Sequence, residues 1–221
     1  MTPSIPLQSP ATRTAAAAAA LPEPAATRPA SMAVQQGATV RRSRLFRRLV
    51  DCDRTVSRSV AYDLPHPPRA TRALGAFSRC GDHGYVWYGL AAVMALAGDS
   101  RRAGRFWYVA GGQAAAELLT HLVKIRIRRG RPPHDDRRPD GYIRQPTSHS
   151  FPSAHASMGV VGVVTLTRLY PRLGAPLAAL LAVLAFTRVF LRVHYAADVA
   201  AGLGFGAVIA ALYSWFVPAP E

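Results

Sequence analysis

The sequence predicts an all-α integral membrane helical bundle of about five spanning helices, preceded by an N-terminal amphipathic helix. Three observations lead there. Residues 84–220 carry long apolar runs rich in Gly, Ala, Val and Leu. The first 83 residues hold most of the basic and low-complexity sequence. Polar residues inside the apolar half are too sparse to wet the outside of a soluble bundle.

The net charge of +15 comes almost wholly from arginine, because Lys124 is the sole lysine. Such a charge suits nucleic acid or an anionic membrane surface. Zinc-finger spacing, aromatic-studded basic strands and basic heptads are all missing, so the membrane is the expected partner and nucleic acid is not. Cys52 and Cys80 are too few and too far apart for a redox motif or a closed metal site.

Taken in order, residues 1–40 form an Ala/Pro-rich tract with an unbroken alanine run from Ala15 to Ala20, and the expectation is a disordered tail. Met1 to Pro10 offers neither the basic start nor the apolar run of a secretory signal. Residues 41–83 are a basic helix and linker: Leu45, Phe46, Leu49, Val50, Val56 and Val60 recur at helical spacing among arginines, until Pro65, Pro67 and Pro68 break the pattern. This helix is too charged to span a bilayer and suits anionic headgroups or a domain surface. A transmembrane domain over 84–218 follows, with segments near Tyr85–Ala97, Phe106–Val123, Ala156–Tyr170, Pro176–Val193 and Val199–Val217. Trp87, Trp107 and Tyr108 stand near segment ends, where interfacial aromatics are expected.

That connectivity brings three polar junctions to one side of the bilayer. The first runs from Lys124 to Pro133; its arginines 126, 128 and 129 read as a topogenic anchor, whereas the lone lysine marks a place where a compact ammonium is wanted. The second, Ser148 to Ser157, puts Pro152, Ser153 and Ala154 ahead of an apolar helix, leaving backbone N–H groups for an anion, with His155 able to move a proton beside it. The third carries Arg188, His194 and Asp198. A helix through 194 and 198 would set imidazole and carboxylate on one face, orienting a nucleophilic ring nitrogen, with Arg188 close enough to hold an anion. A solvated ion pair at a helix end is the plain alternative for His194 and Asp198 alone.

Together the junctions resemble the type 2 phosphatidic acid phosphatase superfamily, whose pattern is Lys-x6-Arg-Pro, Pro-Ser-Gly-His and Ser-Arg-x5-His-x3-Asp. Here stand Lys124 with Arg131-Pro132, then Pro152-Ser153-Ala154-His155, then Thr187-Arg188 with His194 and Asp198. Ala154 replaces glycine and Thr187 replaces serine; neither change removes a charge or a proton-transfer group. The resemblance covers residues 84–217. It implies that His194 attacks phosphorus, Asp198 orients its ring, and His155 protonates the leaving oxygen and later activates water. Lys124, Arg131, Arg188, Ser153 and the N–H of Ala154 would bind the phosphoryl oxygens. No cofactor or metal is implied, and His134, Asp135 and Asp136 read as a solvated loop.

The family's substrates are lipid phosphates and diphosphates. The run from Phe151 to Ala156 resembles actinobacterial phosphatases of a polyprenyl phosphoribose phosphate; undecaprenyl diphosphate, phosphatidic acid and phosphatidylglycerol phosphate remain alternatives, as does a non-catalytic protein that binds anionic lipid. Glu117, His121 and Lys124 fall in one row of segment two, and Glu117 is expected to face the bundle interior as a supporting partner. Arginines before segment one share the side of the junctions, so the positive-inside rule places the site on the cytoplasmic face of a multi-pass cell-membrane protein.

Overall fold

The computed structural model describes residues 30–96, 102–133 and 143–220, with side chains described from residue 44 onward, Arg102 excepted. Two compact units divide the chain, Met1–Arg44 and Leu45–Glu221. Of the first, only helical backbone from Ala30 is described, and the remainder of the expected tail lies outside the described residues.

Among the described residues all regular structure is helical, without strands. Helix α1 spans Ala30–Arg58, beginning ahead of the expected Arg41, and runs into a π-helical turn at Ser59–Asp63. The proline cluster ends it, and Pro68 opens α2, Pro68–Cys80, in a first-turn position where its missing N–H costs nothing. A single 3-10 turn, Asp82–Gly84, leads to α3, Tyr85–Leu96, followed by α4, Arg102–Ile127. Three further helices follow: α5, Ala154–Leu169; α6, Gly174–Phe190; and α7, Ala196–Phe216.

Helix α5 is central, packed against α4, α6 and α7. Its approach to α7 is set by small residues: a Cβ on Gly202 would lie 2.5 Å from the Ser153 carbonyl oxygen, and one on Gly206 2.5 Å from that of Ser157. Ser157 Oγ closes the seam with a 3.0 Å bond to the Gly202 carbonyl. Trp87, expected at a membrane interface, is instead fully buried, its ring filling the space over Gly162 on α5. Tyr108 is buried too, while Trp107, Trp215 and Phe216 are exposed at the bundle end opposite the polar junctions. Leu118, Leu122, Val208 and Leu212 are also exposed, an apolar exterior suited to lipid.

Pro171–Phe190 and Ala196–Phe216 are long and apolar enough to cross a membrane, and Ala154–Leu169 is a shorter apolar helix. Helix α6 ends at Phe190, short of the expected Val193, and α7 begins at Ala196, leaving a turn at 191–195. The carbonyl of Arg188 accepts from the N–H groups of both Val193 and His194, and Arg192 adopts a φ of 59°. This turn folds the chain back at the end of the bundle where α4 ends and α5 begins.

Candidate active site

His194 therefore sits in the turn and not on a helix with Asp198, which lies in the first turn of α7. The pair still meets, with Nδ1 of His194 3.5 Å from Oδ2 of Asp198. Ser150, from the segment before α5, completes the link. Its hydroxyl donates to Asp198 Oδ2 and lies 3.4 Å from His194 Nδ1, and the residue is wholly buried.

The other ring nitrogen faces Arg131. Nη1 of Arg131 is 3.3 Å from Nε2 of His194 and donates to the Val193 carbonyl at 2.7 Å; Nε donates to Ser148 O at 2.8 Å. A guanidinium only donates, so Nε2 presents its lone pair and Nδ1 carries the proton toward Ser150 and Asp198. Burial, reinforced by Arg188, Arg131 and Lys124, pushes the His194 pKa down from 6.5 to about 3 although Asp198 opposes the shift. The imidazole is thus neutral and oriented.

Lys124, in the last turn of α4, donates to the His149 carbonyl at 3.1 Å, an oxygen that Arg131 Nη2 also approaches at 3.4 Å. Arg188, near the end of α6, is 1 % exposed and donates from Nη1 to Ser78 Oγ at 2.6 Å. Among the described residues, none of Lys124, Arg131 and Arg188 pairs with a carboxylate. Arg188 Nε and Ser153 Oγ are buried without a hydrogen-bond partner there. Buried charges and donors left so are costly unless an anion engages them.

The two helix starts at this end differ. The backbone N–H groups opening α7 are occupied: Ala196 donates to Ser57 Oγ and Ala197 to Asp53 Oδ1, both at 2.8 Å, and Tyr195 to Asp198 Oδ2 at 2.9 Å. At α5 no side chain caps the start; Ser153 is the N-cap residue, and half-buried Ala154 is the first helical residue. The uncapped first turn of α5, with His155 in it, is the one able to receive an anion.

Several participants were not singled out from the sequence. Arg129, read as a topogenic anchor, bonds Asp198 Oδ1 at 2.8 Å and Asp53 Oδ2 at 2.6 Å and lies over the Tyr195 ring. Burial opposes its charge, but Asp53 and Asp198 outweigh that and raise its pKa. Ser78 and Asp82 reach the site from the α2 end: Asp82 Oδ1 is 3.1 Å from His155 Nε2. These residues precede the motifs in the chain, and sequence spacing carries no signal of their docking.

Glu117 is not turned to the interior. Its carboxylate pairs with His83 Nδ1 at 2.6 Å, and its side chain is 42 % exposed. The buried face of α4 runs through Gln113, Ala116, Thr120 and Lys124, and Glu117 lies one position off it. His134, Asp135 and Asp136 lie outside the described residues.

Comparison with known proteins gives the family. Residues 105–220 match the profile of the PAP2 superfamily. A decaprenylphosphoryl-5-phosphoribose phosphatase of Mycobacterium tuberculosis is 35% identical over 156 residues, 70% of this chain and 82% of the relative. Another protein of that name, from Mycolicibacterium smegmatis, is 37% identical over 146 residues, 65% of this chain and 77% of the relative. Among solved structures, the fold is similar to a transmembrane PAP2-type phosphatidylglycerolphosphate phosphatase from Bacillus subtilis, with a TM-score of 0.57 at 19% identity, covering 76% of this chain and 85% of that one. Aquifex aeolicus LpxE gives the same TM-score and identity over 72% of this chain and 92% of that one.

Proposed function

Since the chain belongs to the PAP2 superfamily, we propose that it is a multi-pass cell-membrane lipid phosphatase acting on decaprenylphosphoryl-5-phosphoribose through a phosphohistidine at His194. The observation that carries the chemistry is the meeting of a neutral, oriented imidazole with Lys124, Arg131 and Arg188, cations without carboxylate partners among the described residues. The names of the curated relatives support the substrate.

In this reading the phosphate sits between the cations and the open first turn of α5. Nε2 of His194 forms a bond to phosphorus while the bond to the ester oxygen breaks, and the leaving oxygen takes a proton from His155. Asp198, with Ser150, holds Nδ1–H and offsets the charge that develops on the ring. Water then attacks the phosphohistidine, giving its proton to His155, and the ring is restored as inorganic phosphate departs. Positive side chains and the Ser153 and Ala154 donors spread the phosphoryl charge, the main task in phosphoryl transfer. Cationic side chains fill the role a metal would take.

Helices α3 to α7 would be the five spans, with the site at headgroup height so that the lipid tail stays in the bilayer. By the positive-inside rule, the arginines of α1 and α2 support a cytoplasmic position for that end. The test is phosphate release by the purified full chain in detergent with chelator, across polyprenyl phosphoribose phosphate, undecaprenyl diphosphate, phosphatidic acid and phosphatidylglycerol phosphate. Preferential, chelator-resistant release from the first is expected; preference for another lipid would overturn the substrate, and loss of release with chelator would overturn the metal-free chemistry.

A further inference from the structure

The end of α2 and the turn after it form a cradle for two residues of the proposed catalytic set. Ser78, wholly buried, accepts from Arg188 Nη1 at 2.6 Å, and its hydroxyl lies 3.0 Å from Thr187 Oγ1. Its carbonyl oxygen is 3.2 Å from Nε2 of His155. Gly81 supports the same ring from below: a Cβ there would stand 2.7 Å from His155 Cδ2 and 2.8 Å from Leu184 Cδ1. Asp82 follows directly, its Oδ1 3.1 Å from the same Nε2. Ser78, Gly81 and Asp82 all lie before residue 105, where the match to the family profile begins.

We propose that Asp82 is the positioning residue of a second histidine–carboxylate pair, holding His155 through Nε2 so that Nδ1 is the nitrogen that exchanges a proton with the substrate. With Nε2 engaged by two acceptors, the Ser78 carbonyl and the Asp82 carboxylate, the ring is fixed in rotation and Nδ1 is left for the reacting oxygen. Burial and Arg188 work against the doubly protonated ring from which the proton leaves, and the Asp82 carboxylate at that distance offsets them in part. The basic groups facing the pair are Arg188 from α6 and the imidazole of His83 beside Asp82. Both favour an ionised Asp82, whose pKa is lowered by the His155 contact and by these neighbours, although burial opposes the shift. The site would thus hold two pairs of one design: Asp198 serves the nucleophile, and Asp82 serves the proton donor.

The inference rests on His155 being the proton donor, and leaving-group dependence separates the two claims. In purified full-length enzyme, kcat/KM reports events up to departure of the first product. Asp82→Asn is expected to lower kcat/KM roughly tenfold or more for an alkyl phosphate, whose alkoxide leaves only with a proton, and less than about twofold for a nitrophenyl phosphate, which leaves without one. Asp82→Glu should recover part of the loss, and Asp82→Asn should add nothing in a His155→Ala background. Equal losses on both esters would mean a structural role only, and no loss on either would make Asp82 idle; both overturn the inference while sparing the reading of His155. If His155→Ala itself spared the alkyl ester, the proton-donor reading would fall first.

Discussion

Arg131 Nη1 lies 3.3 Å from Nε2 of His194, so a cation stands at the lone pair of the proposed nucleophile. The same guanidinium is pinned by the Val193 and Ser148 carbonyls at 2.7 Å and 2.8 Å and by Ser148 Oγ at 3.2 Å. It fixes the tautomer of the ring and, in the proposed mechanism, turns to a phosphoryl oxygen when substrate binds. Lysine has no planar fork to satisfy these directions at once. Arg131→Lys is therefore expected to lower kcat by about 10²–10³, the cost of losing one preorganised oxyanion donor. Steady-state kinetics on the purified variant check this, and near-normal turnover would show that charge alone suffices.

Ser150 stands between His194 and Asp198, and removing its hydroxyl leaves Nδ1 only the carboxylate at 3.5 Å. Ser150→Ala should lower kcat roughly tenfold with little change in KM, because the lost group orients the nucleophile without touching substrate. A rise in KM at constant kcat would place Ser150 in substrate binding instead.

Arg129 is shared by two carboxylates, Asp53 of α1 and Asp198 of α7, whose side chains are 9% and 0% exposed. Asp53→Asn removes one charge but keeps an acceptor for the Ala197 N–H, and should cost about 1 kcal/mol, the scale of a weakened cap. Arg129→Ala strands both carboxylates and should cost about 3–5 kcal/mol. Thermal unfolding in detergent ranks them; the reverse order would show that the Asp53 cap, and not the shared cation, ties α1 to the site.

The neutral state of His194 also makes stability depend on pH. Its folded pKa is lowered from 6.5 to about 3, so below 6.5 the unfolded chain binds a proton that the folded chain refuses. This contribution is whole above 6.5 and is lost progressively as pH falls toward 3. The parent Tm should decline with acidification over that window more steeply than the Tm of His194→Asn. Parallel curves for the two proteins would contradict a buried neutral imidazole.

The candidate site was legible because Lys124, Arg131, His155, Arg188, His194 and Asp198 stand at the spacings of the family pattern the chain resembles, at the ends of apolar segments. The five apolar helices were legible to within a few residues because apolar runs mark them, whereas α1 starts at Ala30, ahead of residue 41, and α2, Pro68–Cys80, occupies the expected linker. What sequence did not reveal depends on docking. Asp53 looks like a solvated acid among arginines until α1 meets the start of α7, and Asp82 looks like a turn residue until the end of α2 meets His155. Trp87 stood where an interfacial ring is expected, yet the small surface of Gly162 gives it a buried place. Glu117 had the right spacing from Lys124, but the buried face of α4 passes one residue to its side.

The central claim is a covalent bond between phosphorus and Nε2 of His194, and trapping it is the most direct test. Enzyme quenched in alkali during turnover of a radiolabelled lipid phosphate should carry an acid-labile, alkali-stable label on the peptide containing His194. His194→Ala should carry none and release no phosphate. Label elsewhere on the chain, or undiminished phosphate release by His194→Ala, would contradict the account.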